Sequence, residues 1–312
     1  MTIVDPATGT ELKVDCVVDP RSGVVEIEIA EPDPLPQALR VDEKGEAVFV
    51  GCPTTLIICG HPRSGTTMLT RVFNSHPDIL LTMEFNNFHQ LDVPYTTHVR
   101  ALRMNWIKRS IVRMQGRNGR LIGRFDSAIF VARYLIGLYR YQGELIDASI
   151  VTAVLHHIFP RVSIVGDKRP PYVFDLDKLA TIEGLARVVI YRDCRDVTSS
   201  FMQKARTDWR YRPVVKGLDT AGKVAKRWVS AIELMERHAD KVHMIHYEDL
   251  VTNPRPVLKA LGDWLGVDPE GFRPGIIRAG SVGKYRRGLS EQEVADILAV
   301  AGPTMERLGY QV

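Results

Sequence analysis

The chain of 312 residues is 45% hydrophobic and 25% charged, a composition that is ordinary for a soluble globular protein with one large α/β domain or two small ones. Residues 1–50 carry 11 acidic and 4 basic side chains, whereas the remainder carries 26 and 37, so the formal net charge of +4 divides into −7 and +11. The basic remainder suits an anionic ligand, but it is not basic enough to make nucleic acid the expected partner. The sequence shows neither a secretory signal nor the roughly 18-residue apolar run of a membrane-spanning helix.

The first 50 residues have the alternating pattern of β-strands. Apolar and charged side chains alternate along 12–16 and again along 25–29, and a turn signal at 19–23 separates the two runs. We therefore predict a small N-terminal β-hairpin extension, residues 1–50, packed on a main domain of residues 51–312.

From residue 55 onward, short apolar segments alternate with helical patterns. The predicted strands are 55–59, 162–166, 187–191 and 242–246. The predicted helices are 66–75, 99–114, 145–158, 175–183, 195–205, 218–239, 254–265 and 290–300. Short buried strands separated by helices are typical of a parallel sheet. The predicted fold class is α/β, with three layers in which helices flank a central parallel sheet on both faces.

The most informative pattern is an apolar strand, a loop bounded by Gly60 and Gly65, and a helix that follows at once. Such a loop holds an anion on backbone N–H groups at the helix N-terminus. The spacing matches a nucleotide-triphosphate P-loop at both glycines and at Thr67, but Thr66 stands where the P-loop has its lysine. That lysine normally reaches the β- and γ-phosphates, so its loss argues against a kinase or an ATPase. A cation is present inside the loop instead, as Arg63, and the fold is predicted to be P-loop-like.

A second strand, 187–191, ends in Arg192 and leads into a helix that carries Ser200 about two turns further on. Ligands of open α/β sheets bind at the carboxyl ends of the strands. Two strand ends that each offer a cation and hydroxyl groups suit a ligand with two separate phosphate groups.

Together these segments resemble the sulfotransferases that use 3′-phosphoadenylyl sulfate (PAPS). Loop 62–67 resembles their 5′-phosphosulfate loop, Arg192 with Ser200 resembles their 3′-phosphate motif, and Tyr247 begins a Tyr-Glu-Asp-Leu turn similar to the one near their adenine site. All three motifs occur in the family's order and spacing. The arginine in the loop is more similar to the tyrosylprotein and carbohydrate sulfotransferases than to the cytosolic small-molecule enzymes.

The resemblance implies PAPS as donor, 3′,5′-adenosine diphosphate (PAP) as product and no metal. Glu84 stands about twenty residues after the loop arginine, where the tyrosylprotein-type enzymes have their base, and Lys168 matches a family lysine that joins Arg63 in catalysis. Lys284 lies in a segment that resembles the loop closing over the 3′-phosphate. The donor-binding residues implied in this way are Arg63, Ser64, Gly65, Thr66, Thr67, Arg192, Ser200, Tyr247 and Lys284.

Several of these assignments have structural alternatives. A histidine near the loop, His61, His76 or His89, is an alternative base to Glu84. Tyr247 is equally consistent with a packed aromatic residue. Arg192 is also suitably spaced for an ion pair with Asp193 or Asp196 in the following helix.

The acceptor is not identified by the sequence. Residues 97–125 carry eight basic and no acidic side chains, and an apolar stripe at helical spacing predicts a helix there. This stretch is either a solvated basic face or a docking surface for an anionic acceptor. The reacting hydroxyl is that of a peptide, a glycan, a lipid or a carrier-bound small molecule.

We thus predict a PAPS-dependent sulfotransferase that moves a sulfuryl group in line to an acceptor hydroxyl with a carboxylate base. Four cysteines without metal-ligand spacing predict free thiols in a reducing cytoplasm, and a bacterial source is the preferred interpretation. The alternatives are a nucleotide kinase or NTPase of related fold and a non-catalytic nucleotide-binding protein.

Overall fold

A computed structural model of the chain describes residues 55–102, 128–160, 162–210, 214–278 and 280–312 with their side chains. The backbone alone is described for the strands before residue 55, for 112–115 and 121–125, and for residues 127 and 213.

Strands and helices alternate along most of the chain. The strands are β1 (Thr2–Val4), β2 (Glu11–Val18), β3 (Val25–Ile29), β4 (Leu39–Val41), β5 (Ala47–Phe49), β6 (Thr55–Cys59), β7 (Ile79–Met83), β8 (Val93–Pro94), β9 (Val112–Gln115), β10 (Leu121–Phe125), β11 (Leu145–Ile146), β12 (Ile164–Lys168), β13 (Leu185–Tyr191) and β14 (His243–His246). The α-helices are α1 (Thr66–Phe73), α2 (Tyr95–Leu102), α3 (Ser127–Tyr139), α4 (Ala148–Ile158), α5 (Leu176–Leu179), α6 (Cys194–Arg206), α7 (Ala221–Arg237), α8 (Tyr247–Thr252), α9 (Pro254–Leu265), α10 (Tyr285–Gly288) and α11 (Glu291–Arg307). A 3₁₀ turn at Pro170–Asp175 follows β12.

The central sheet has five parallel strands in the order β14-β13-β6-β12-β7. The chain fills the β12 and β7 side of β6 first and then crosses to the β13 and β14 side. A crevice at the carboxyl end of β6 is where ligands bind in sheets of this kind. The prediction of an α/β fold with a parallel sheet is confirmed.

Helices cover both faces of the sheet because the side chains of β6 alternate between two buried clusters. Leu56 and Ile58 belong to the cluster that contains α1, α8 and α9. Ile57 and Cys59 belong to the cluster that contains α3, α4, α7 and α11. Every residue of β6 is buried, as the apolar run that follows Thr55 predicts for a central parallel strand. The three-layer prediction is confirmed.

The structure corrects one helix prediction and adds elements that were not predicted. The helix predicted at 99–114 ends at Leu102, and residues 112–115 form strand β9, which pairs antiparallel with β10; residues 103–111 lie outside the described residues. The unpredicted elements include strand β7 and helix α3. The Asn118-Gly119 pair between the strands favours a hairpin over the helix that the apolar stripe suggested.

Strands β2 and β3 pair antiparallel, from Val14 with Ile29 to Val18 with Val25. The packing of residues 1–50 on the main domain and the boundary at residue 50 stay predictions. Among the described helices, none combines the length and the apolar character needed to cross a membrane.

Candidate active site

The loop between β6 and α1 has an unusual backbone. Gly60, Arg63 and Gly65 have positive φ angles of 151°, 81° and 104°. Helix α1 begins at Thr66, directly after Gly65. Because the first N–H groups of a helix have no partner within the helix, this geometry presents backbone donors to an anion held by the loop.

Close packing explains why the loop needs both of its glycines. A Cβ on Gly60 would lie 2.3 Å from the carbonyl oxygen of Ile190, and one on Gly65 would lie 2.6 Å from the ring of Tyr247. Any side chain at either position would therefore displace β13 or α8 from the loop.

Arg63 is the cation of the loop, and two groups from helix α6 and the segment after it hold its guanidinium. Arg63 Nε donates to Ser200 Oγ at 2.9 Å, and the guanidinium carbon lies 5.5 Å from the centroid of the Trp209 ring. Burial and the nearby charge of Arg192 lower the pKa of Arg63 from its ordinary value. Because the ordinary pKa of arginine lies far above neutral pH, the group stays charged there.

Arg192, which follows β13, brings a second buried cation to the same place. It forms an ion pair of 3.1 Å with Asp196 and lies 4.6 Å from the ring centroid of Tyr247. Asp193 pairs with Arg195 instead, at 2.7 Å. The buried Nε of Arg192 has no hydrogen-bond partner among the described residues, so a donor remains for a ligand.

Hydrogen bonds hold the segment 281–285 beside Arg192. Asp196 accepts hydrogen bonds from two backbone N–H groups of this segment at 2.8 and 2.9 Å, and Arg192 donates to the carbonyl of Ser281. Ser281 lines the cleft described below, whereas Lys284 is exposed and is not part of its lining.

Lys168, the last residue of β12, is 1% exposed and extends its ammonium to the start of α1. Its Nζ donates to Glu84 Oε1 at 2.6 Å and to Thr67 Oγ1 at 3.3 Å. Glu84 has a positive φ of 61°, and its side chain is 45% exposed. The cation that a P-loop carries at the position of Thr66 is thus supplied here by the neighbouring strand.

Asp167 fixes the loop that carries Glu84. This fully buried carboxylate accepts hydrogen bonds from the Thr82 hydroxyl at 2.6 Å, the Tyr172 hydroxyl at 2.8 Å and the backbone N–H groups of residues 85 and 86 at 3.1 and 3.0 Å. Nothing in the motifs singled out Asp167, although it stands next to Lys168 in the sequence.

These groups meet in one cleft of about 310 Å³ at the carboxyl edge of the sheet. Eight predicted site residues line it: Arg63, Gly65, Thr66, Thr67, Glu84, Arg192, Ser200 and Tyr247. Ser64 lies below the surface with a hydroxyl that has no hydrogen-bond partner among the described residues. Trp209 and Arg278 also line the cleft, and no motif indicated them. Ser281, a further lining residue, begins the segment that resembles the loop closing over the 3′-phosphate.

The alternative bases lie outside this cleft. His61 is buried, and burial lowers its pKa to about 3. His76 is buried and bonded to the backbone carbonyl of Asp268 at 2.9 Å. His89 pairs with Asp175 at 3.1 Å and lines a neighbouring cleft. Glu84 is therefore the best placed of the four candidates.

The turn that begins α8 packs against the glycine loop and the start of α6. Tyr247 is 3% exposed, and its ring packs between Gly65 and the Arg192 guanidinium. Glu248 accepts hydrogen bonds from the Asp193 backbone N–H and the Tyr310 hydroxyl, both at 3.1 Å. Both readings of Tyr247 stay open, because a packed ring also forms a cleft wall.

Comparison with known proteins identifies the family of the chain. The model of the sulfotransferase family matches residues 54–271, and the chain belongs to that family. Protein-tyrosine sulfotransferase 1 of Danio rerio is 25% identical over 219 residues, which cover 68% of this chain and 53% of that protein. The chain thus spans about half the length of this curated relative.

Solved structures of similar fold include the sulfotransferase domain from the curacin biosynthetic pathway. It superposes with a TM-score of 0.51 at 16% identity and covers 82% of this chain and 98% of that one. Sulfotransferase STF9 from Mycobacterium avium has a TM-score of 0.48 at 13% identity, with coverage of 84% and 79%. At 16% identity, the likeness to the curacin domain shows that the two chains share a fold and nothing more.

Proposed function

We propose that the protein transfers a sulfuryl group from PAPS to an acceptor hydroxyl. The observation that carries the proposal is the contact of Lys168 with both Glu84 and Thr67, at 2.6 and 3.3 Å, beside a P-loop-like helix start. This contact joins a carboxylate and a buried ammonium to the loop that would hold a phosphate. Family membership supports sulfotransfer, and PAPS is the donor that the site chemistry favours.

The described residues fit a donor with two separated phosphate groups. The loop N–H groups with Thr66 and Thr67 would hold the 5′-phosphate. Arg192 and Ser200 would hold the 3′-phosphate, a role supported by the buried Arg192 Nε that lacks a partner among the described residues. Tyr247 would lie toward the adenine, and Lys284 stays a predicted contact only.

The donor supplies the sulfuryl group that passes in line to the acceptor oxygen. Glu84 accepts the proton of the acceptor hydroxyl, and its ion pair with Lys168 holds the carboxylate beside the start of α1. Lys168 and Arg63 stabilise the negative charge that develops on the leaving phosphate. Among the described residues, no cluster of His, Cys, Asp or Glu is arranged to hold a metal ion.

The acceptor and the location of the protein are further parts of this proposal. The name of the Danio rerio relative makes the tyrosine hydroxyl of a protein one candidate acceptor, beside glycan, lipid and small-molecule hydroxyls. Cys59 and Cys194 are free and buried, which is consistent with the bacterial cytoplasm that the sequence suggested.

A thermal-shift measurement with PAP tests the donor site. PAP at 100 times its dissociation constant is expected to stabilise the protein by about 2.7 kcal/mol. Arg192→Ala is expected to remove most of this shift, whereas Lys259→Ala on the exposed surface of α9 should retain it. A shift with ATP and Mg²⁺ alone would contradict the proposal and favour an NTPase, and no shift with either would favour a non-catalytic protein.

A further inference from the structure

A second cleft, of about 670 Å³, lies beside the first. Its walls come from the 3₁₀ turn at Pro170–Asp175, from the loop that carries His89 and from the N-terminal half of α7. Cavities of this size accommodate small organic ligands. No motif of the sequence accounts for this cleft, and the proposed donor site does not use it.

The second cleft is strongly basic. Four cations line it: Arg169, Lys223, Lys226 and Arg227. The one carboxylate among the described lining residues, Asp175, is already occupied by Arg169 at 3.3 Å and His89 at 3.1 Å. The cations therefore exceed what the cleft's own acid can neutralise.

Two of the four cations have no carboxylate partner among the described residues. Lys226 is exposed at the rim, and Arg227 is half-buried, with its guanidinium 4.6 Å from the ring centroid of Phe174. Lys223, in contrast, pairs with Asp219 at 2.8 Å. A partly desolvated guanidinium gains most from an anion that enters beside it.

The two clefts share a wall. Pro170 lines the first cleft and Pro171 lines the second, and these residues directly follow Lys168 and Arg169. Tyr172 holds this wall in place, because its hydroxyl donates to Asp167 and accepts the N–H of Phe88 at 3.1 Å. The linings of the two clefts are therefore adjacent at this point of the chain, next to Lys168.

We propose that the second cleft binds the anionic end of the acceptor. The acceptor is a small molecule with an apolar body and a carboxylate, sulfonate or phosphate group, whose hydroxyl reaches Glu84 across the shared wall. Pro171, Phe174 and Leu218 supply the apolar surface, and Lys226 with Arg227 supplies the charge. The role as acceptor site rests on the proposed sulfotransferase function.

The test compares 3-(4-hydroxyphenyl)propionate with its neutral primary amide by calorimetric titration of the PAP-saturated protein. The acid is expected to bind about tenfold more tightly than the amide, as a charge-assisted contact predicts. Added salt should reduce that difference, because the cleft is open and its charges are screened. Lys226→Glu should remove the preference for the acid.

Lys241→Glu is the matched control, since it makes the same charge change on an exposed residue beyond the other end of α7. It should retain the preference. Equal affinity for acid and amide, equal effects of the two variants, or no saturable binding of the acid would overturn the proposal. Binding of an acidic tyrosine peptide without binding of the acid would overturn it in favour of a peptide acceptor.

The two proposals fail separately. If PAP produces no stabilisation but the wild-type protein, titrated without PAP, still prefers the acid, the donor proposal is wrong and the anion cleft stands as a binding site. If PAP binds and no preference for the acid is measured, the anion cleft is wrong and the donor proposal stands.

Discussion

Lys168 shows how one residue compensates for a change elsewhere in the chain. Thr66 has no charge to place near a phosphate, and Lys168 brings its ammonium to the start of α1 from the adjacent strand. A buried ammonium is costly unless it is paired, and Glu84 provides the pairing at 2.6 Å. The same two residues thus form a structural ion pair and the proposed acid–base machinery.

Glu84→Gln tests the proposed base. Because glutamine keeps the shape but cannot accept a proton, kcat is expected to fall by about 10²- to 10⁴-fold. PAP affinity, measured by thermal shift, should stay unchanged, since the loop and Arg192 are intact. Glu183→Gln, on an exposed turn before β13, is the control. A kcat within a few-fold of wild type would remove Glu84 from the mechanism and direct attention to His89.

At the scale of elements, the site depends on how three strand ends are held. β6 leads into the glycine loop, β12 ends in Lys168, and β13 leads to Arg192, whose carbonyl accepts the Trp228 indole N–H at 3.0 Å. The loop after β7 is tied to β12 through Asp167. Each connection is short, so a shift of one strand would misplace a catalytic side chain directly.

Asp167→Asn tests that connection. In the wild-type protein four donors bond the Asp167 carboxylate, and the amide NH₂ of an asparagine would face some of these donors with a donor of its own. The free energy of unfolding is therefore expected to fall by about 3 kcal/mol. Urea unfolding measures this value. Thr82→Val is the matched control, because it removes one donor and should cost about 1 kcal/mol. If both variants unfold at the same urea concentration, the carboxylate does not have the proposed role.

The elements that the sequence predicted correctly are those with strong local patterns. Strands β6, β12, β13 and β14 each contain a short run of apolar, mostly β-branched residues, and α9 starts at a proline as expected. Strand β7 was missed because it follows α1 after only a short turn. Helix α11 continues to Arg307, beyond the predicted residue 300, and includes Pro303.

The site was predictable where a motif lies within one segment. The glycine loop, Arg192 with Ser200 and the Tyr247 turn are of this kind. The contacts between segments were not predictable from spacing: Arg63 meets Ser200 across 137 residues, and Lys168 meets Glu84 across 84. Trp209 and the second cleft carry no motif, because they depend on tertiary packing alone.

At the scale of the whole molecule, the half-buried His246 and the buried His61 link stability to pH in opposite directions. Burial disfavours a charge on His246, but its hydrogen bonds and ion pairs with Glu248 and Asp249 raise its pKa. Its contribution is present below the unfolded pKa of about 6.5 and is lost as pH rises through the folded value. Burial lowers the pKa of His61 to about 3, which gives the opposite dependence.

His61 is expected to dominate the acid side of the stability curve. Its Nε2 is buried without a partner among the described residues, so a proton there would be unpaired. Between pH 6.5 and 3 the unfolded chain binds a proton at this residue and the folded chain does not, so stability falls as pH falls, by about 5 kcal/mol in total.

His61→Asn removes the titrating group, and its side-chain amide retains a donor for the Pro62 carbonyl, which His61 Nδ1 contacts at 2.9 Å. Urea unfolding of both proteins at pH 8, where His61 is neutral in both states, gives the cost of the substitution itself. Repeating the measurement down to pH 4 should show a shallower decline for the variant, because one proton fewer is taken up on unfolding. Parallel curves would mean that His61 is accessible to protons in the folded protein, and the loop beside Arg63 would then be open to solvent rather than packed.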